Sequence, residues 1–540
     1  MHPPPALQTN DYLPWSRGRG VDVWSMLQAC AAGDQPAVEA LLAREPTLVD
    51  CEYQYYRPLH FAVRENHVEL VKLLFARGAD PFCGGLGFRP VYKPGGVGNL
   101  PWVLDTARER GYTKMLTLLE TTFRERFHIE PAGEILAALI RDRDLQAVKT
   151  TLSARPELLD RADGFGNQPI HWSVMTRQPA LINHLVDLGA DINAVRPDGA
   201  QPIDLTNGDY WYRGWRDIPA QVIRRHEVIL GYLLARGAYY DISTAAQLGD
   251  LERVRALVEE DPRRVNELPA STGYYNGVPL RCAAGGGHLA VVQFLLERGA
   301  DPNRPEPVTP QGGALYDAIA GRHWEIVKLL LTHGANANAA VESSGNCFWR
   351  AKNENAPREI IELLAAHGGS SGVELACYNG DLELIATMLQ ANRALPIAEH
   401  LPVDNEPLVD LVRRYQPDVL RGKPFEGAKS LERARWLLEQ GMDAVSPNWL
   451  EITPLHRFAQ DGRQELAELC LEFGATLDAI DDEFSSTPLG WAARAGEDRM
   501  VAWLLARGAD RNQPHDKPWA QPLAWAERRG HAAVAALLRA

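Results

Sequence analysis

The 540-residue chain is short of most features that would assign it to a function class at sight. It has no stretch of eighteen uncharged apolar residues, and its opening, Met1-His2-Pro3-Pro4-Pro5, has no basic start ahead of an apolar run. Neither a membrane span nor a secretory leader is therefore expected. Its seven cysteines, Cys30, Cys51, Cys83, Cys282, Cys347, Cys377 and Cys470, are odd in number, scattered and never in C-x-x-C spacing. That distribution argues against a disulfide framework and against a zinc site, and it fits a reducing, cytoplasmic setting. Dense Lys/Arg runs are also missing, and the net charge of −14 would repel a phosphate backbone, so nucleic acid is not an expected partner. No G-x-S-x-G, P-loop, H-E-x-x-H or strand-anchored G-x-G-x-x-G occurs in a usable context, so no catalytic residue, metal or cofactor is assigned.

What is present is the content of a folded protein, 45% hydrophobic and 23% charged. A chain of this length exceeds one ordinary core, which leaves several domains or a repeat array. Arg outnumbers Lys and Ala is abundant, a compositional habit of GC-rich bacterial genomes.

Internal period decides for the array, because one pattern returns about every thirty-three residues. Arg57-Pro58-Leu59-His60-Phe61-Ala62 runs through His67 to Val71 and on to Arg77-Gly78-Ala79-Asp80. Thr487-Pro488-Leu489 runs likewise to Arg507-Gly508-Ala509-Asp510, and Pro279-Leu280 to Gly299-Ala300-Asp301-Pro302-Asn303. Each element has a mechanical role. Pro at the first helical position costs no hydrogen bond, and apolar residues at i, i+3, i+4 and i+7, as in Val68, Val71, Leu74 and Phe75, bury one stripe of a second helix. Gly78 supplies a left-handed C-terminal cap, and Asp at the Gly-Asp position N-caps the outer helix. No such unit buries its apolar face alone, so stacking is the fold.

These motifs resemble the ankyrin repeat, over about fifteen copies. The resemblance implies an all-α repeat solenoid of helix-turn-helix units with β-hairpin fingers, and recognition through variable residues in a concave groove lined by fingers and inner helices. It also implies structural roles for His60, His171 and His456, for His67, His288, His323 and His531, and for Asp105 and Asp204 in the slot of the first set.

Pro58, Pro169 and Pro279 recur at intervals of 111 and 110 residues, which reads as duplication of a larger block. The expected organisation is an extended N-terminal segment 1–20 and blocks 21–132, 133–240, 241–370 and 371–540. A glycine-rich insert occupies 82–100, an aromatic insert 207–225, and a proline-rich irregular segment 390–429. Long insertions in a compact array point to function or disorder.

The repeat register places Tyr53, Tyr55 and Tyr56, then Phe165, then Tyr274 and Tyr275 at the finger tips of successive blocks, where aromatic rings suit partner binding; packing of finger on finger is the structural alternative. Variable inner-helix positions hold Arg64, Glu65, Met175 and Arg494, and Asp317 joins them as a groove residue. Tyr210, Trp211, Tyr212, Arg213, Trp215 and Arg216 in the aromatic insert form a candidate platform, against which stands a loop packed on itself. The expected function is a binding module or scaffold that holds a protein partner in the groove. The alternative is a small-molecule or carbohydrate pocket, open to catalysis, built by inserts 82–100 and 207–225.

Overall fold

The protein is described by a computed structural model that covers residues 1–540 except 14–15, 82–101, 210–211, 214–215, 224, 270–276, 307–308, 310 and 342–344, and the side chain of Trp102. The insert 82–100 with Cys83, and Tyr210, Trp211, Trp215, Tyr274 and Tyr275, lie outside the described residues. The chain divides into two compact units, one of Ala6–Ser370 and the other of Met1–Pro5 with Ser371–Ala540.

Both units are built from short helix pairs. In the Ala6–Ser370 unit, Pro58–Arg64 is followed by Val68–Ala76, Pro169–Met175 by Pro179–Asp187, Pro279–Gly285 by Leu289–Glu297, and Ala314–Ala320 by Trp324–Thr332. In the other unit, Pro454–Gln460 precedes Gln464–Glu472, Pro488–Ala495 precedes Asp498–Ala506, and Pro522–Arg529 precedes Ala532–Arg539. Within each unit first helices stack on first helices and second on second, so the apolar stripe of a pair is covered by its neighbours. Val71, Leu74 and Phe75 accordingly vanish from solvent. This is an all-α repeat solenoid. Among the described residues the fingers carry only isolated bridges, such as Tyr53 with Tyr56, Glu306 with Thr309 and Ala340 with Asn346.

Capping follows the sequence closely. Asp34, Asp144, Asp250 and Asp381 each N-cap a second helix, their side chains accepting from the backbone N–H of Ala37, Ala147, Arg253 and Leu384. Gly78 sits at φ +93°, the left-handed position that ends its helix.

A ladder of Asx side chains sets the spacing of the fingers. Asn193, Asn266, Asn303 and Asn338 each accept, through Oδ1, the backbone N–H of a residue in the following repeat: Tyr239, Asp301, Asn336 and Ser370. Each donates from Nδ2 to a helix-ending glycine carbonyl of Gly237, Gly299, Gly334 or Gly368. One side chain thereby satisfies two backbone groups that the fingers leave unpaired.

The repeat regularity lapses in three places. Pro202–Leu205 is a 3-10 turn where a first helix belongs, and the second helix resumes only at His226–Ala235. Within 371–430, the helices Leu382–Ala391 and Glu406–Tyr415 pack on each other, and the chain reaches Leu431–Glu439 through turns. Residues 1–20 include a 3-10 turn at Pro5–Gln8 and a Tyr12–Arg19 bridge, so the segment is not extended throughout.

Among the described residues no helix is long and apolar enough to cross a membrane, and no cluster of His, Cys, Asp or Glu suits a metal ion. The six cysteines among the described residues are free thiols; five are buried and Cys282 is half-buried. Burial pushes the thiols of Cys377 to about 11 and Cys470 to about 12, which leaves them unreactive.

Candidate functional site

The histidines are carbonyl staples. His67, His288, His323 and His531 donate from Nε2 to the carbonyls of Ala31, Gln247, Gly285 and Arg494 of the preceding repeat, at 2.8–3.2 Å. Each ring lies against a glycine of that repeat, where a Cβ on Gly33, Gly249, Gly287 or Gly496 would come within 2.4–2.7 Å of it. His171 and His456 are buried; Nδ1 accepts from the backbone N–H of Gln168 or Thr453, and Nε2 donates to the carbonyl of Ala194 or Ser486. Burial lowers their imidazoles to about 3 and about 4, so both are neutral, with both nitrogens engaged. Asp204, in the same slot, accepts from Gln201 N–H at 2.9 Å. Burial raises it to about 7.

In the repeat that starts at Pro279 the slot holds Arg281, and the chemistry changes. The buried guanidinium donates from Nε to Asp317 at 2.7 Å and faces Glu306 at 3.5 Å. Glu306 also accepts the Val278 N–H at 3.0 Å. Burial opposes the charge on Arg281, yet the two carboxylates hold it above its usual value. Asp317, named above as a groove residue, is thus tied into an inter-repeat ion-pair cluster.

Position +3 from the helix-starting proline is aromatic at Phe61, Trp172, Trp491 and Trp525, and position +6 is arginine at Arg64, Arg494 and Arg528. The two positions meet as stacks. Arg64 lies 4.7 Å over Phe61, Arg528 lies 4.4 Å over Trp525, and Arg494 spans Phe484 at 4.1 Å and Trp525 at 5.5 Å. Met175 takes the +6 position above Trp172 but is wholly buried, and Arg141 of the preceding repeat supplies the guanidinium over that ring, at 4.7 Å.

Two fingers are closed by a buried aspartate. Asp163 accepts Trp172 Nε1–H at 2.7 Å and the N–H groups of Phe165 and Asn167. Asp481 accepts Trp491 Nε1–H at 2.8 Å and the N–H groups of Phe484 and Ser486. Burial raises both carboxyls to about 6, against the pull of the donors.

The predicted site residues distribute as follows. Tyr55, at a finger tip, is 64% exposed, whereas Tyr56 is buried with its ring edge-on to His60 at 4.8 Å, and Tyr53 is half-buried. Tyr56, Arg64 and Met175 are therefore corrected from surface contacts to core positions: each fills space between packed elements that a smaller side chain would leave open. Arg64 is also paired with Glu65 at 2.7 Å. Phe165 and Arg494 are partly exposed. In the aromatic insert, Tyr212 turns inward to meet Trp172 edge-on at 5.4 Å, Arg213 N–H donates to Asp217, and Arg216 forms a two-pronged pair with Asp217. Asp209 anchors the loop, accepting from Tyr212 N–H and Arg196. The described part of the insert packs on the repeats and on itself.

Phe484, Trp491 and Trp525 were missed by sequence reasoning. The signal was available: an aspartate and a phenylalanine ahead of Pro-x-x-Trp at both 163–172 and 481–491.

Comparison with known families matches ankyrin-repeat models to residues 242–341 and 426–515, and a single ankyrin repeat to 56–84. The chain contains ankyrin repeats. It is similar to "Ankyrin repeat and SAM domain-containing protein 6" of Mus musculus, 33% identical over 23% of this chain and 14% of that protein. It is similar to "Ankyrin repeat and SOCS box protein 16" of Homo sapiens, 28% identical over 42% of this chain and 53% of that protein. It is also similar to "E3 ubiquitin-protein ligase XBAT32" of Arabidopsis thaliana, 29% identical over 36% of this chain and 41% of that protein. The match to these relatives thus spans between about a seventh and a half of their length.

Proposed function

We propose that the chain is a protein-binding module or scaffold, and that its fingers and first helices form the surface that holds the partner. The observation that carries this reading is the arginine-on-aromatic register in the unit that contains Ser371–Ala540, where exposed Arg528 lies over Trp525 and partly exposed Arg494 over Phe484, itself partly exposed. A guanidinium held over a buried ring presents hydrogen-bonding edges in a fixed position, as interface anchors do. The relatives support the same reading, since two of their names join ankyrin repeats to different partners in one chain, a SAM domain and a SOCS box. A fold common to many functions is not itself an activity, and so the surface carries the argument. The alternative pocket depends on 82–100, outside the described residues, and no observation favours it.

The test is affinity capture from a host lysate with the whole chain as bait. A stoichiometric protein should be recovered by the wild type and by Glu69→Ala on a second helix. It should be lost with Arg494→Ala combined with Arg528→Ala, with thermal unfolding unchanged. Retention of the partner by the double variant contradicts the assigned surface.

A further inference from the structure

The segment that departs furthest from the repeat carries an open groove of about 600 Å³, lined by Leu382, Glu383, Glu406, Pro407, Asp410, Leu411 and Arg414. It lies between the first turn of Leu382–Ala391 and one face of Glu406–Tyr415, and it shares no residue with the fingers or stacks described above. On Glu406–Tyr415, the core takes Leu408, Val409 and Val412. At 100° per residue, Glu406, Pro407, Asp410, Leu411 and Arg414 form a stripe on the opposite side. Of that stripe only Leu411 packs against the core, and the other four are exposed.

Its floor is apolar, from Leu382, Pro407 and Leu411, and Leu382 is 40% exposed. Its rim is acidic. Glu383, Glu406 and Asp410 are all exposed, and the nearest cation to Glu406 is Arg433 Nε at 3.9 Å. Among the described residues Glu383 and Asp410 make no ion pair. Three carboxylates over an aliphatic floor complement a side chain with an aliphatic stem and a cationic head, which buries the stem while the head meets the acids.

We propose that this groove is a docking site for a basic segment of a partner protein, whose arginine or lysine stems lie on Leu382, Pro407 and Leu411 while their charges meet Glu383, Glu406 and Asp410. Arg414, at one end of the stripe, opposes a cation and sets the direction in which the segment runs. This site is independent of the finger surface, and either assignment stands if the other fails.

The probe is a fluorescein-labelled ten-residue peptide of alternating leucine and arginine, with a leucine–glutamate peptide of equal length as control, both titrated into the full chain and read by anisotropy. The basic peptide should bind and the acidic one should not. Glu383→Lys combined with Asp410→Lys should weaken binding about tenfold, and Arg414→Glu should strengthen it about threefold, with weaker binding throughout at high salt. All three positions are exposed, and an unchanged far-ultraviolet spectrum and melting temperature show that the variants fold. The control reversal is Glu252→Lys combined with Glu259→Lys, on a helix of the other unit. If that control weakens binding as much as the groove variant, the peptide follows the overall charge of −14 and the proposal is overturned. Binding that ignores Arg414→Glu, or equal binding of the acidic peptide, overturns it as well.

Discussion

The repeat that starts at Pro169 and the repeat that starts at Pro279 place different residues in one slot, His171 and Arg281. The imidazole hydrogen-bonds to backbone: it accepts an N–H, donates to a carbonyl and stays uncharged. The guanidinium cannot shed its charge, so the surroundings supply Glu306 from a finger and Asp317 from the next helix, and glycines at 277 and 313 leave room for its stem. A Cβ at either glycine would fall within 2.7–2.8 Å of Arg281 Cδ. The comparison teaches that a neutral staple is satisfied by what every repeat offers, whereas a charged one conscripts side chains from its neighbours and couples those repeats.

The comparison breaks most visibly by removing the cation. Arg281→Met leaves Glu306 buried without its partner and should cost about 3–5 kcal/mol, lowering the protection of amides in 242–341 against hydrogen exchange. Adding Glu306→Gln should recover part of that loss, and no recovery would mean that the cluster is not an ion pair in solution.

The aspartate clasps come next. Trp172→Phe and Trp491→Phe each remove one N–H from a buried carboxylate and should cost about 1–3 kcal/mol, read as lower urea midpoints. Similar losses in the two units would show that the clasp works alone. A neutral effect would mean that the backbone donors suffice.

Proton uptake separates the two slots further. The unfolded imidazole takes a proton near 6.5, while burial delays His171 to about 3 and His456 to about 4. Between those values the unfolded chain binds more protons, so these two groups withdraw stability as the pH falls through 6.5 toward 4. Asp163 and Asp481, raised from 3.8 to about 6, act with the opposite sign and withdraw stability as the pH rises across that interval. Imidazole chemical shifts of His171 and His456 should therefore stay flat from pH 8 to 5; a midpoint near 6.5 for either contradicts its burial.

The smallest effect is expected at the caps. Asp144→Ala should cost about 1 kcal/mol, by hydrogen exchange within Leu145–Ala154.

The repeat was legible because its signals are local: Pro at a helix start, Gly at a helix end and Asp34 or Asp144 at a cap depend only on neighbours in sequence. The structural roles of His60, His67 and their kin followed from the resemblance. Burial of Tyr56, Arg64 and Met175 was not legible, because the face each presents depends on which residue of the next repeat lies above it. Arg64 and Arg494 share one register position, yet one is buried and the other partly exposed. The groove at 382–414 was marked in advance only by its prolines, since its acids and leucines come from two helices that the sequence does not pair. Capping rules read single elements, and surfaces belong to pairs of them.

The assignment of the partner-binding surface is tested most directly by hydrogen exchange of the whole chain with and without its captured protein partner. Protection is predicted at the finger residues 481–487 and at the first-helix ends around Arg494 and Arg528. Protection confined to second helices such as Val68–Ala76 and Asp498–Ala506, with the fingers unchanged, would contradict it.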